Sequence, residues 1–175
     1  MAAPVIDRAR WAVQNLDVEP DDLVLEIGCG RGAAAALVCE RLTTGRIVAI
    51  DRSPVMVTFA QRRNQRCLAA GRAEFLAVAL ADFNPGRQRF GKIFAVNVSA
   101  FWLGPALEEL RHLQRLLARG GAIYLCYEQP TEERIAAIEE RLIAGLTELG
   151  LVTAARRSQT GRSARLCVIG TSRSP

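Results

Sequence analysis

Two carboxylates and a run of glycines carry the residues in this chain whose types and spacing could do chemistry. Glu26 stands near the end of the apolar run Leu23 to Ile27, directly before Gly28-Cys29-Gly30-Arg31-Gly32. Glycines at this spacing let the backbone turn sharply and approach a ligand, because no Cβ blocks the path. Asp51 closes a second apolar run, Arg46-Ile47-Val48-Ala49-Ile50, and Ser53-Pro54 then reads as a helix N-cap with proline in the first turn. A strand, a glycine turn and a helix start form a nucleotide-type site at the carboxyl end of a parallel sheet. This defines a class of ligand and leaves the substrate open.

The elements that must position these groups alternate along the chain. A helix is expected over about 5–16, then a strand at 23–27 and a helix over 31–43. A second strand (46–50) leads to a helix running to Ala70 and halted by Gly71; Phe75 to Leu80 reads as the third strand and Lys92 to Val98 as the fourth. Leu107, Leu110, Leu113 and Leu116 repeat at helical spacing after Pro105. Gly120-Gly121 ends that helix before a fifth strand, Ala122 to Tyr127, and an amphipathic helix follows over about 131–149. Two β-like runs, 151–155 and 166–170, read as a closing hairpin. The expectation is one α/β domain over 1–175: a doubly wound, mostly parallel seven-stranded Rossmann-like sheet with a C-terminal antiparallel hairpin and an N-terminal helical extension over 1–20.

Composition narrows the class. Half of the 175 residues are hydrophobic and 23% are charged, which excludes a disordered chain. No apolar run approaches the roughly 20 residues of a membrane helix, and the start lacks the apolar stretch of a secretory signal; a cytoplasmic protein without membrane contacts is expected. The five cysteines show no CxxC spacing, so neither a metal site nor a disulfide framework is expected. Cys29 reads as a space-filling residue beside the ligand. The net charge of +5 raises the question of nucleic acid, and all but one of the 23 basic residues are arginine. The clusters Arg62, Arg63, Arg66 and Arg156, Arg157, Arg162, Arg165 are not interleaved with aromatics, so a solvated helix face and a basic hairpin are the favoured readings.

Two ligand families compete for the glycine turn. A dinucleotide pattern G-x-G-x-x-G/A can be laid on Gly28, Gly30 and Ala33. Against it, Glu26 takes a position usually apolar in dehydrogenases, the glycines also fit G-x-G-x-G, and no hydride-transfer set follows.

With these residues in view, the chain resembles the class I S-adenosylmethionine-dependent methyltransferases over nearly its whole length. Glu26 to Gly32 is similar to that family's acid-apolar-G-C-G-x-G motif, and Asp51, Ser53 and Met56 match its D-x-S-x-x-M element. Phe94-Ala95-Val96-Asn97 with Phe101-Trp102 looks like the fourth-strand motif of small-molecule members, and Leu116 to Gly121 like the approach to the fifth strand, with Arg119 where proline is usual.

The resemblance implies S-adenosyl-L-methionine as cofactor. Glu26 then answers the donor's ammonium, Asp51 the ribose hydroxyls, and backbone N–H groups of Gly28, Cys29, Gly30, Gly32 and the helix start face its carboxylate. Arg52 and Met56 pack beside the adenine, Leu80 approaches its edge, and Asn97 stands near the methyl group. The family's acid after the third strand is missing: Ala79 occupies that position, and either Asp82 or backbone groups serve the adenine. The lone histidine, His112, reads as structural, Trp102 leans toward the acceptor pocket, and Glu128 is a polar group at its rim. No residue is assigned as catalytic. The stretch Asn97-Val98-Ser99-Ala100 lacks the Asn-Pro-Pro-Tyr run of nucleobase amino methylation, which disfavours that acceptor class. The expected function is methyl transfer to a small-molecule acceptor; the alternatives are an RNA- or protein-directed methyltransferase, a non-catalytic protein that keeps the cofactor fold, and, behind these, an NAD(P)-binding protein.

Overall fold

The computed structural model describes residues 5–103, 106–161 and 163–172. The Pro105 helix start and Arg162 of the hairpin lie outside the described residues. In chain order the elements are α1 (Val5–Leu16), β1 (Leu23–Ile27), α2 (Ala33–Cys39), β2 (Arg46–Asp51), α3 (Pro54–Arg63), α4 (Gln65–Ala69), β3 (Ala73–Ala77), β4 (Phe90–Val96), α5 (Leu107–Leu116), β5 (Leu117–Gln129), α6 (Glu132–Glu148), β6 (Val152–Thr160) and β7 (Ser163–Thr171), with short 3-10 turns at Leu80–Asp82 and Ser99–Phe101.

The seven strands form one sheet in the order β3-β2-β1-β4-β5-β7-β6. All pairs are parallel except those of β7, which runs antiparallel to both β5 and β6. The expected doubly wound sheet with its terminal hairpin is present. Strand order reverses beside β1, between its neighbours β2 and β4, and the crevice at such a reversal is where open α/β sheets bind ligands.

Side-chain alternation along the strands makes two apolar layers. Leu25, Ile27, Val48, Ile50, Ile93 and Ile123 pack with Leu110 and Leu113 of α5 and Ile135 and Ile138 of α6. On the opposite face Val24, Ile47, Ala49 and Phe94 pack with Ala9 and Val13 of α1, Ala34 and Val38 of α2, and Val57 and Ala60 of α3. Glu26 belongs by alternation to this second face, where its neighbour in phase is the fully buried Val24.

Several boundaries differ from expectation, each for a long-range reason. The single helix expected up to Ala70 breaks at Asn64, whose buried Nδ2 donates to the carbonyls of Ala60 (2.8 Å) and of Gly32 (3.1 Å). Asn64 thus fastens the end of the glycine turn to α3. β3 ends at Ala77, opposite Asp51, so Val78 to Leu80 leave the sheet despite their apolar character. β4 ends at Val96 because Asn97 takes a left-handed backbone (φ 55°), a conformation asparagine tolerates better than most residues.

The cysteine expectation needs correction. Cys39 at the end of α2 and Cys67 in α4 form a disulfide across 28 residues of chain. Sequence spacing missed it because the two meet only once the fold brings the end of α2 beside α4; Cys29, Cys126 and Cys167 remain free and buried.

Candidate active site

The glycine turn after β1 lies at the strand-order reversal, and each of its glycines answers a different steric demand. A Cβ on Gly28 would fall 2.7 Å from Val98 Cγ2, and one on Gly32 would fall 2.6 Å from Asn64 Nδ2 and 2.9 Å from the Cα of Ala60. Those two glycines therefore serve close packing. A Cβ on Gly30 would meet nothing within 4 Å, so Gly30 faces open space. All three hold positive φ. Gly30→Ala is expected to lower stability by only about 1–2 kcal/mol, the cost of a left-handed alanine, while placing a methyl group in the space a ligand would use. A binding loss of tenfold or more in calorimetry, beside a modest shift in urea unfolding, checks this.

Two adjoining chambers open at the carboxyl ends of β1, β2 and β4, and Gly28 and Val96 border both. The first, about 540 Å³, is lined by Asp51, Arg52, Val78 to Ala81 and Asn97 to Phe101. The second, about 380 Å³, is lined by Glu26, Gly28 to Arg31, Met56 and, from α1, Val5, Arg8 and Ala9. Glu26 and Asp51 thus border neighbouring chambers that share Gly28 and Val96, close enough that the Asp51 charge acts on Glu26.

Glu26 is the electrostatic centre of the second chamber. It is only 3% exposed, and its Oε2 has no hydrogen-bond partner among the described residues. Burial pushes its pKa up to about 8 and the Asp51 charge adds to the rise, while an N–H from Ala35 in α2 partly opposes it. A buried carboxyl with one orphan oxygen is costly unless a cation completes it. Burial, followed by the charges of Glu26 and Asp51, raises the neighbouring Cys29 thiol far above its ordinary range. A thiol raised in this way disfavours the nucleophilic thiolate.

Asp51 is half-buried and bidentate to backbone. Its Oδ2 accepts the Gly30 N–H (2.9 Å) and its Oδ1 the Ser53 N–H (2.9 Å), so it ties β2 to the glycine turn. An ionised carboxylate offers about four lone-pair sites, which leaves capacity for a diol.

The turn amides require a correction. The resemblance implied that the N–H groups of Gly28, Cys29, Gly30, Gly32 and the start of α2 face a ligand carboxylate, and the correction concerns the first four. In the structure Gly28 and Cys29 donate to the Ile50 carbonyl (2.8 and 3.0 Å), Gly30 donates to Asp51, and Gly32 donates to the Cys29 carbonyl (2.9 Å). The tight winding of the turn onto β2 engages these donors internally.

The remaining expected residues distribute as follows. Arg52 and Leu80 line the Asp51 chamber, whereas Met56 lines the Glu26 chamber. Asn97 borders the first chamber while its Oδ1 accepts the Glu128 N–H (2.8 Å). Ala79 borders that chamber too, with Val78, Leu80 and Ala81, whereas Asp82 lies in a separate cleft with Glu74, Phe83 and Gln88. Phe101 lines the chamber; Trp102 instead packs against the apolar layer of α5 and α6, contrary to its expected lean toward the pocket. His112 Nε2 is bonded to the Phe83 carbonyl (3.1 Å), a structural contact. Glu128 is buried in an ion pair with Arg165 (2.9 Å), and Arg157 pairs with Glu132 and Glu139, so these hairpin arginines face acids of the same chain. Sequence reading passed over Arg8, which no motif or spacing distinguishes from the other arginines.

A mostly parallel sheet with one antiparallel strand, a glycine turn at the strand-order reversal and acids on two adjacent strand tips define the class I, Rossmann-like methyltransferase fold. Solved structures agree on that fold. Magnesium protoporphyrin IX methyltransferase from Synechocystis PCC 6803, with bound SAH, matches 96% of this chain and 81% of its own at a TM-score of 0.73 and 20% identity. The N-methyltransferase NodS from Bradyrhizobium japonicum WM9 matches 98% and 99% at 0.74 and 19%. Among curated proteins, trans-aconitate 2-methyltransferase of Escherichia coli O157:H7 is 33% identical over 120 residues, 67% of this chain and 44% of that protein. The chain thus spans less than half the length of the curated relatives it matches. A family model described as a methyltransferase domain matches residues 24–121. The chain belongs to this methyltransferase domain family.

Proposed function

We infer that the chain binds S-adenosyl-L-methionine in the two adjoining chambers and transfers its methyl group to a small-molecule acceptor. The observation that carries this reading is the buried, partnerless Oε2 of Glu26 in a glycine-lined chamber that adjoins the chamber bordered by Asp51. A ligand with an ammonium at one end and a ribose diol at the other satisfies both acids.

When bound, the donor supplies a methyl group already activated by its sulfonium, so the protein's part is alignment. Glu26 holds the amino-acid end. Asp51, itself pinned by two backbone amides, accepts from the ribose. Gly28, narrowed by Val98, sets the floor between the chambers, and the wall from Val78 to Ala81 with Arg52 encloses the base. The exposed Ser99 and Ala100 of the Ser99–Phe101 turn stand at the rim on the acceptor side, over the buried Phe101. A small acceptor is supported by the names of the relatives, which include trans-aconitate 2-methyltransferase and geranyl diphosphate methyltransferase.

Calorimetry with S-adenosylmethionine, S-adenosylhomocysteine and NAD tests the reading, followed by a turnover screen of small carboxylic acids, alcohols and amines. Micromolar binding of both sulfur ligands is expected. Tight binding of NAD with neglect of both would sink it, and sulfur-ligand binding without turnover on any acceptor class would reduce it to a non-catalytic cofactor-binding protein.

A further inference from the structure

The segment that follows α3 holds α2 at both ends. At the start of α2, the buried Asn64 donates from Nδ2 to the Gly32 carbonyl (3.1 Å), which also accepts the Ala36 N–H (3.2 Å). At its far end, Cys39 is joined to Cys67, three residues beyond Asn64. The helix so clasped belongs to the Glu26 chamber: Ala33 and Ala34 line it, and the Ala35 N–H bonds to Glu26. α4, which carries Cys67, has no fully buried residue, so the bridge is a principal fastening.

The surroundings of the bridge favour attack by a thiolate from one side. Cys39 is fully buried and Cys67 half-buried, so the approach is through Cys67. Close to it in the chain, Arg62, Arg63 and Arg66 are exposed and enter no ion pair among the described residues. Arg72 Nη1 donates to the carbonyls of Cys39 (3.5 Å) and Leu42 (2.6 Å), which sets a further guanidinium at the buried end. Partly exposed cysteines in positive surroundings are the reactive ones, because the attacking and departing sulfurs are both anionic. We propose that Cys67 is a thiol–disulfide exchange site and that opening the bridge weakens binding of the methyl donor. A small thiolate attacks the Cys67 sulfur, the Cys39–Cys67 bond breaks, and Cys39 departs as a thiolate that takes up a proton. A second thiol then displaces Cys67 from the mixed disulfide. The protein gains two electrons and two protons, and the two attacking thiols leave as one disulfide. Released at Cys39, α2 keeps only its Asn64 hold, so the chamber wall and the Ala35 contact to Glu26 loosen. The effect on affinity rests on the donor reading above; the exchange chemistry does not.

The test titrates S-adenosylhomocysteine calorimetrically into the full chain, oxidised and after treatment with dithiothreitol under native conditions. Alkylation in denaturant, read by mass spectrometry, should count three free thiols before treatment and all five after it. Reduction is expected to weaken binding by about 5- to 50-fold, within the usual range of coupling between two sites. Reoxidation should restore it. By reciprocity, saturating S-adenosylhomocysteine should protect the bridge from dithiothreitol by the same factor. A mixed disulfide trapped with 2-mercaptoethanol should map to Cys67 and leave Cys39 free. The variant carrying both Cys39→Ser and Cys67→Ser should bind as the reduced chain does and ignore dithiothreitol. Equal affinity of the oxidised and reduced chains overturns the proposal while leaving the donor reading in place. A bridge that dithiothreitol cannot open in the native chain does the same, as does loss of the circular dichroism of the fold on reduction, which would make the bridge purely structural. Binding of S-adenosylhomocysteine by neither form overturns both.

Discussion

Glu26→Gln is expected to weaken S-adenosylmethionine binding by roughly 30- to 1,000-fold, equivalent to about 2–4 kcal/mol. The side chain keeps its size and the N–H contact from Ala35, but it loses the negative charge that completes the donor's ammonium. The same substitution should leave the unliganded protein as stable as before below about pH 4.5 and make it more stable above that, by a margin that grows up to about pH 8. It removes an ionisable group whose Oε2 is buried and unpartnered. Binding and folding therefore move in different directions, which a merely structural Glu26 would not produce. Isothermal titration paired with urea unfolding at pH 7 and pH 9 reads both quantities. Unchanged affinity in the variant would remove Glu26 from the site.

The second expectation concerns pH. Glu26 has a folded pKa of about 8 against an ordinary value of 4.5. Between those values the folded state holds a proton that the unfolded state releases, so stability falls as pH rises through that window. The contribution is fully present below pH 4.5, is lost progressively up to about pH 8, and changes no further above it. Its upper bound is about 5 kcal/mol, from the pKa difference at 1.36 kcal/mol per unit. Thermal unfolding followed from pH 5 to pH 9 should show a declining component that Glu26→Gln abolishes. Ligand binding runs the opposite way: the ammonium requires the ionised acid, so binding below pH 8 expels the proton. Affinity is expected to rise about tenfold per pH unit from pH 6 toward pH 8. Calorimetry in buffers of different ionisation enthalpy should register the proton released. The absence of both slopes would mean that Glu26 is already ionised in the free protein.

Much of this site was legible before any coordinates. The apolar run broken only by Glu26, the glycine spacing and the acid closing β2 are local patterns, and local patterns survive folding because they are its cause. The sheet class followed in the same way from alternating strand and helix signals, and the cofactor family from motifs within a few residues of each strand tip.

The remainder depended on residues far apart in the chain. That the turn amides bond to Ile50 and Asp51, that Asn64 breaks a helix to hold Gly32, and that Cys39 meets Cys67 are consequences of β1, α2 and α4 lying against neighbours. No spacing encodes them. Asp82 and Ala79 stand three residues apart, yet the 3-10 turn at Leu80 sends them to different clefts. Arg8 is one arginine among many until α1 docks over the chamber. By itself the sequence marked two acids and a glycine turn as the candidates for a ribose-bearing ligand; the tertiary structure decided which of their hydrogen-bonding valences are free, because a donor already engaged by the fold has none left to offer.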